Sequence, residues 1–330
     1  MILFNIKKKE GESLGDFKEL TSDQIWKNLI ENFFEDFMNF FAGDISQDIE
    51  FANGFERLDK ELGEILLNSE GHDRRCDELL KVKMKSGNGK WVFVHLEIQG
   101  YRDENFAERM FEYYYRIRDR YHEKIYPLVI YTHEIVTNHP DHYKENFYKM
   151  SLIYKYPVYK IVKQKEADLM KQDNPFALVV LAGLYTLKTK KNQDERYRFK
   201  KELVKLLVEK KWEKEKIRDL FLYIDGIIKI NGVERNKEIV EEFRERLKIG
   251  DEDMKLDWST SNLAVEARKE GKLLGRSEGR LEGRVEGRVE GLNCAIVAID
   301  LLKKNTDVET IAKMSGMPIE KINELKKSVL

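Results

Sequence analysis

Cysteine is scarce: the 330 residues hold only Cys76 and Cys294, far apart and in no Cys-x-x-Cys or Cys/His spacing. A disulfide framework and a zinc knuckle are both excluded on that count, and a reducing cytoplasm fits. Long apolar runs are also missing, since none approaches the roughly 18 residues that span a bilayer. The start, MILFNIKKKEGESLGDFKEL, places its apolar residues before its charges, the reverse of a secretory signal. A soluble cytosolic protein with no membrane partner is expected. Net charge is nearly absent as well: 59 basic against 60 acidic side chains leave -1. No global positive field recruits nucleic acid, so any DNA binding has to use local basic patches.

What is present is an ordinary core under an unusually charged surface, 42% hydrophobic and 36% charged, with a length that suggests about two domains. Residues 21 to 68 have a helical pattern, with Trp26, Leu29, Ile30, Phe33, Phe34 and Phe37 recurring at three- and four-residue steps. CDELLKVKM and WVFVHLEIQ then alternate around SGNG, which predicts a β-hairpin. From Asp103 a helix is expected, its apolar stripe made of Phe106, Met110, Tyr113, Tyr114, Ile117 and Tyr121. IYPLVIYT at 125 to 132 reads as a buried strand and YPVYKIV at 156 to 162 as a weaker one. Residues 175 to 250 are helical again, opening on the nearly all-apolar PFALVVLAGLYTL.

The chemistry concentrates in the hairpin. Alternation puts Val92, Val94, Leu96 and Ile98 on one face of the second strand, and Phe93, His95, Glu97 and Gln99 on the other. Folding the hairpin symmetrically about Asn88 sets Asp77 across from Gln99 and diagonal to Glu97. Two carboxylates this close oppose each other's ionisation unless a cation neutralises them. Hard oxygen ligands with open positions suit Mg²⁺ or Mn²⁺, which can polarise a phosphodiester and activate water. Gln99 cannot accept a proton as a neutral lysine can; its amide can orient water and its carbonyl can hold water or metal. His95 shares the face of Glu97, but a histidine packed under a helix explains it, and it stays outside the catalytic set.

LDKEL, RRCDELLKVK, HLEIQG and FAERMFEYYYRIRDRY, in this order and spacing, resemble the Rpn (recombination-promoting nuclease) and transposase-like branch of the PD-(D/E)XK nuclease superfamily. The likeness continues through NPFALVVLAGL, RYRFKKELVKLL and LFLYIDGII into the glutamate-glycine tail. It implies an α/β fold with a restriction-endonuclease-like core of αβββαβ type, a mixed sheet flanked by helices, followed by a helical C-terminal region. It also implies Mg²⁺-dependent DNA endonuclease activity linked to recombination or mobile elements. By this resemblance Asp77, Glu97 and Gln99 are the catalytic positions, and Asp77, Glu97 and Glu61 the metal set, with Glu61 supplied by the helix before the hairpin. Gln99 stands where the superfamily has lysine but agrees with this branch. The general base stays open between a phosphate oxygen and metal-bound hydroxide. The rival is a nuclease-fold protein that binds DNA or another protein without turnover.

The remaining features admit two readings each. Arg109, Arg116 and Arg120 alternate with Glu108, Glu112 and Asp119, as on a salt-bridged surface, yet Arg109 lies nearest the site and a guanidinium suits a scissile phosphate. Glycines at 271, 275, 279, 283, 287 and 291 form a four-residue period. They suggest homo-oligomer formation or docking through 270–292, or else a flexible linker. At the end, Ala312, Gly316 and Ile322 are spaced as in a helix-turn-helix, with a second helix of mixed charge that equally suits a packing module. The expected division is a nuclease-like core at 1–165, a helical continuation at 166–260, and the glycine-repeat segment with a small helical unit at 261–330.

Overall fold

The computed structural model describes residues 21–58, 77–85, 90–134, 139–248 and 261–329. The chain forms two compact units, residues 1–266 and 267–330.

The first unit opens with α1 (Ser22–Asn32), started by a capping box in which the Thr21 hydroxyl accepts from the Gln24 amide and the Gln24 side chain accepts from Thr21 N. Its buried stripe of Ile25, Trp26, Leu29 and Ile30 continues in α2 (Phe34–Phe41) through Phe34, Phe37, Met38 and Phe41. A short α3 (Gly43–Ser46) leads to β1 (Phe55–Arg57). This strand corrects the expectation of helix through residue 68, as far as the described residues reach. Three residues on a sheet edge are too few for alternation to show in the sequence. After β2 (Asp77–Lys83) and β3 (Trp91–Gln99) come α4 (Phe106–Tyr121) and β4 (Ile125–Tyr131). A hairpin of β5 (His142–Phe147) and β6 (Met150–Lys155) precedes β7 (Val158–Lys160).

The five-stranded sheet has the order β1-β2-β3-β4-β7. Its first three strands run antiparallel, whereas β3, β4 and β7 are mutually parallel, α4 serving as the crossover between β3 and β4. Helix, three strands, helix, strand is the order of the nuclease-type core expected above, so the fold is a mixed α/β sheet flanked by helices. The faces divide as alternation requires. Val92, Val94, Leu96 and Ile98 enter the main core, while Phe93 packs with Tyr113 and Ile117 of α4 on the other side.

The main core is completed by α5 (Glu166–Lys171), α6 (Pro175–Thr189), α7 (Gln193–Glu209), α8 (Lys214–Ile227) and α9 (Val233–Leu247). α6 begins with an Asn174 cap and Pro175 in its first turn, then buries residues on every side, as its unbroken apolar sequence demands. Gly226 lets α8 lie close to α1: a Cβ there would sit 2.9 Å from Ile25 Cδ1. Lys200 and Asp225 form a fully buried ion pair at 2.6 Å, with Asp225 Oδ2 also accepting from Asn262 N at 2.7 Å.

α10 (Asn262–Lys303) carries the whole glycine repeat within one helix, with open space at the Cβ position of all six repeat glycines. In the second unit Ala298 and Leu302 pack with Ile311 of α11 (Val308–Ser315) and Ile322 of α12 (Ile319–Val329). Gly316 makes the turn between these two helices at φ 69°. Among the described residues, no helix is long and apolar enough to cross a membrane.

Candidate active site

Of the predicted residues, Glu97 and Gln99 stand together at the carboxyl end of β3. Glu97 and Gln99 lie on the α4 side of the sheet, and both are buried. The antiparallel register sets Asp77, the first residue of β2, directly opposite Glu97. This corrects the symmetric hairpin: each β2 residue faces a position two earlier on β3, so that Lys83 faces Trp91 and Asp77 no longer faces Gln99. A shift of two keeps every side chain on its own face, so burial fixes the parity of the pairing and leaves the choice among even registers to the turn. The side chain of Asp77 and all of Glu61 lie outside the described residues. Among the described residues, no group of three or more His, Cys, Asp and Glu side chains is placed to hold a metal ion.

Around Glu97 the neighbours are cationic or potentially so. His95 Nε2 lies 3.4 Å from Glu97 Oε1, and its buried ring meets Tyr113 of α4 edge-on, so the histidine does pack beneath the helix. Arg109 NH2 lies 3.8 Å from Glu97 Oε2 and donates to Gln99 Oε1 at 3.3 Å, while NH1 reaches Asp103 Oδ2 at 2.5 Å. The guanidinium also stands 5.0 Å over the Phe106 ring. Arg109 therefore reaches the Glu97–Gln99 end of β3 and is not part of a surface ladder along α4. Arg116, by contrast, faces Glu112 at 4.0 Å one turn away, as the surface reading expects.

Gln99 is oriented from both ends. Its Nε2 donates to the Tyr101 carbonyl at 2.8 Å, which leaves Oε1 turned toward the Arg109 guanidinium that also faces Glu97. Of the roles open to this side chain, an oxygen acceptor on the site is the one its surroundings support. Its backbone carbonyl accepts from Thr132 N at 2.9 Å, tying the ends of β3 and β4 together. The adjacent acid, Glu78, turns away from Glu97 and pairs with Arg57 of β1 at 3.7 Å.

Three contributors were invisible in the sequence. Asp103 fixes Arg109 from the loop before α4, and Tyr131 and Tyr156 line the ground beyond Gln99. Tyr131 faces Gln99 in the parallel register, and its hydroxyl donates to the Pro140 carbonyl at 2.7 Å. Burial foremost, then Tyr156 and the charges of Asp141 and Glu97, hold the Tyr131 phenol far above its usual range. Burial likewise raises Tyr156, opposed in part by Tyr131 and then by the charge of Arg109. Both phenols therefore stay neutral donors. Next to them His139 stacks on Tyr131 at 4.3 Å and meets His133, its Nε2 lying 3.4 Å from His133 Nδ1. No local pattern signals these groups, because parallel pairing and the β5–β6 excursion deliver them.

The donor set suits a hard divalent cation: a buried carboxylate, an amide oxygen aimed the same way, and an acidic position directly across the strand pair. It stands at the carboxyl end of parallel strands, where open α/β sheets place their ligands. No curated protein and no solved structure matches this chain. A family model described as "Putative transposase, YhgA-like" matches residues 22–218, from α1 through the sheet and into α8. That span exceeds half the chain, and the protein belongs to this family of YhgA-like transposases, part of the Rpn and PD-(D/E)XK transposase group.

Proposed function

We propose that this protein is a Mg²⁺-dependent DNA endonuclease, with Mn²⁺ an alternative metal, serving recombination or mobile elements. The observation that carries the reading is the β2–β3 register, which opposes Asp77 to Glu97 with Gln99 Oε1 and Arg109 on the Glu97 face. Family membership supports a nuclease linked to mobile elements.

In this reading Asp77 and Glu97 hold the cation, and Glu61 completes the acidic set. When bound, the metal would neutralise charge on the phosphodiester and lower the pKa of an attacking water. Gln99 Oε1 accepts a hydrogen bond from that water and so sets its direction. Arg109, steadied by Asp103, is close enough to the carboxylate to meet a phosphate oxygen with paired hydrogen bonds. Burial of His95 and Glu97 keeps bulk water from that side of the site.

The deciding assay uses the purified full chain on supercoiled and linear DNA with Mg²⁺, Mn²⁺ or Ca²⁺, comparing wild type with Asp77→Ala and Glu97→Ala. Cleavage with Mg²⁺ or Mn²⁺ that both substitutions abolish is expected, together with loss of Mn²⁺ binding by calorimetry. Equal cleavage by all three proteins would sink the assignment. A second reading draws on Gln99, whose amide nitrogen is engaged by the Tyr101 carbonyl and which offers no proton acceptor in the lysine position. A nuclease-fold DNA-binding or protein-interaction protein without turnover would bind and never cut.

A further inference from the structure

The β5–β6 hairpin stands apart from the five-stranded sheet as a two-stranded ribbon, and its two faces differ in kind. Tyr143 pairs with Tyr154 near its root. Tyr143 stacks on Phe111 of α4 at 5.2 Å with the rings 11° apart, and Tyr154 leans on Phe111 and on Tyr114, 4.9 Å away. That inner face anchors the ribbon to the helix that carries Arg109. Tyr156, the residue after β6, packs against the same Phe106 ring over which Arg109 stands.

The outer face is exposed along its whole length and carries His142, Lys144 and Asn146 on β5 beside Ser151, Ile153 and Lys155 on β6. It holds no carboxylate. The one acid within the ribbon, Glu145, lies on the inner face, where its carboxylate accepts from the Tyr143 hydroxyl. Asp141 pairs with His142 at the foot, just outside the ribbon. At the tip Lys149 adds another cation beside Phe147 and Tyr148, 64% and 94% exposed. Tyr148 has φ 52°, a left-handed conformation that favours glycine or asparagine over a bulky side chain. A costly residue thus holds the most exposed place on the ribbon, its ring meeting edge-on, at 4.7 Å, the likewise solvent-facing Phe147.

We propose that this ribbon is an arm that engages duplex DNA beside the active site, its outer lysines on phosphates and its Phe147–Tyr148 tip against the bases. A chain of net charge -1 needs such a local patch. A two-stranded ribbon fits the major groove, lysines neutralise phosphates, and exposed rings stack on or wedge between bases. The assignment rests on the nuclease reading above for its choice of DNA as partner.

The test is fluorescence anisotropy of the full chain on a labelled duplex in Ca²⁺ across a salt series, with cleavage in Mg²⁺ measured in parallel. Replacing Lys144, Lys149 and Lys155 together by serine is expected to lower the slope of log Kd against log salt by about 2 to 3. Tyr148→Gly is expected to keep the slope, weaken binding by roughly fivefold or more, and leave thermal stability equal or higher. If wild type binds and cuts DNA while both variants match it in affinity and slope, the arm is overturned and the nuclease reading stands. A wild-type protein that neither binds nor cuts overturns both. If Tyr148→Gly instead dissolves a dimer with DNA affinity intact, the tip is a contact between copies and the arm is again overturned.

Discussion

Removing the Arg109 guanidinium tests whether it is the counter-ion of buried Glu97. Arg109→Met keeps the bulk over Phe106 and removes the charge 3.8 Å from Glu97 Oε2. With an effective dielectric of about 20, unit charges at that distance attract by about 4 kcal/mol. Arg109 remains 16% exposed, and His95 still lies 3.4 Å from the same carboxylate, so part of that attraction is screened or replaced. A net destabilisation of about 2 to 4 kcal/mol is expected, the cost of leaving a buried charge short of its partner. Chemical denaturation should show a lower midpoint with an unchanged m value. In a double-mutant cycle with Glu97→Gln, the two substitutions should couple by at least about 1 kcal/mol, because the neutral amide no longer needs the cation. Mg²⁺ should stabilise Arg109→Met more than wild type, since a bound cation would neutralise the same carboxylate. A cost and a coupling both below about 0.5 kcal/mol would refute the counter-ion role and return Arg109 to the surface.

Two further outcomes are expected from the same geometry. His139 is pushed down to about 4 by burial and then by the charges of His133, Lys160 and Lys163, against about 6.5 for a free histidine. The unfolded chain binds the extra proton between those values, so the contribution is complete above pH 6.5 and is lost toward pH 4, on the order of 1 to 3 kcal/mol. His139→Gln should flatten the stability profile across that window in urea titrations, and an unchanged slope would contradict the assignment. In α10, Gly279→Ala and Gly283→Ala meet no atom within 4 Å and should each strengthen the helix by about 1 kcal/mol, read as amide exchange protection. Weakening, especially with loss of a dimer, would mean that the stripe packs against a second copy.

Sequence alone determined the local periods and the faces those periods assign. Alternation gave each residue of β3 its side of the sheet, the apolar run of 175–187 announced a helix buried on all sides, and the stripe from Phe106 to Tyr121 defined the face that α4 buries. Asp77, Glu97 and Gln99 stood out as candidates because strand period and family likeness pointed to the same block. Tertiary structure decided the rest. An even shift in register leaves burial unchanged, so only the folded hairpin could set Asp77 opposite Glu97 and not Gln99. Helical spacing offered Arg109 acidic neighbours on its own helix, yet the fold turned it toward Glu97, Gln99 and Asp103. The β5–β6 ribbon escaped because its inner face is covered only at Tyr143, Leu152 and Tyr154, and then only in part, too little burial for a strand period to be written in the sequence. Tyr131 and Tyr156 reached the site through parallel pairing and a chain excursion, long-range contacts that no window of sequence contains. Local period is written residue by residue, whereas register, helix rotation and cross-strand neighbours are settled when the whole core closes.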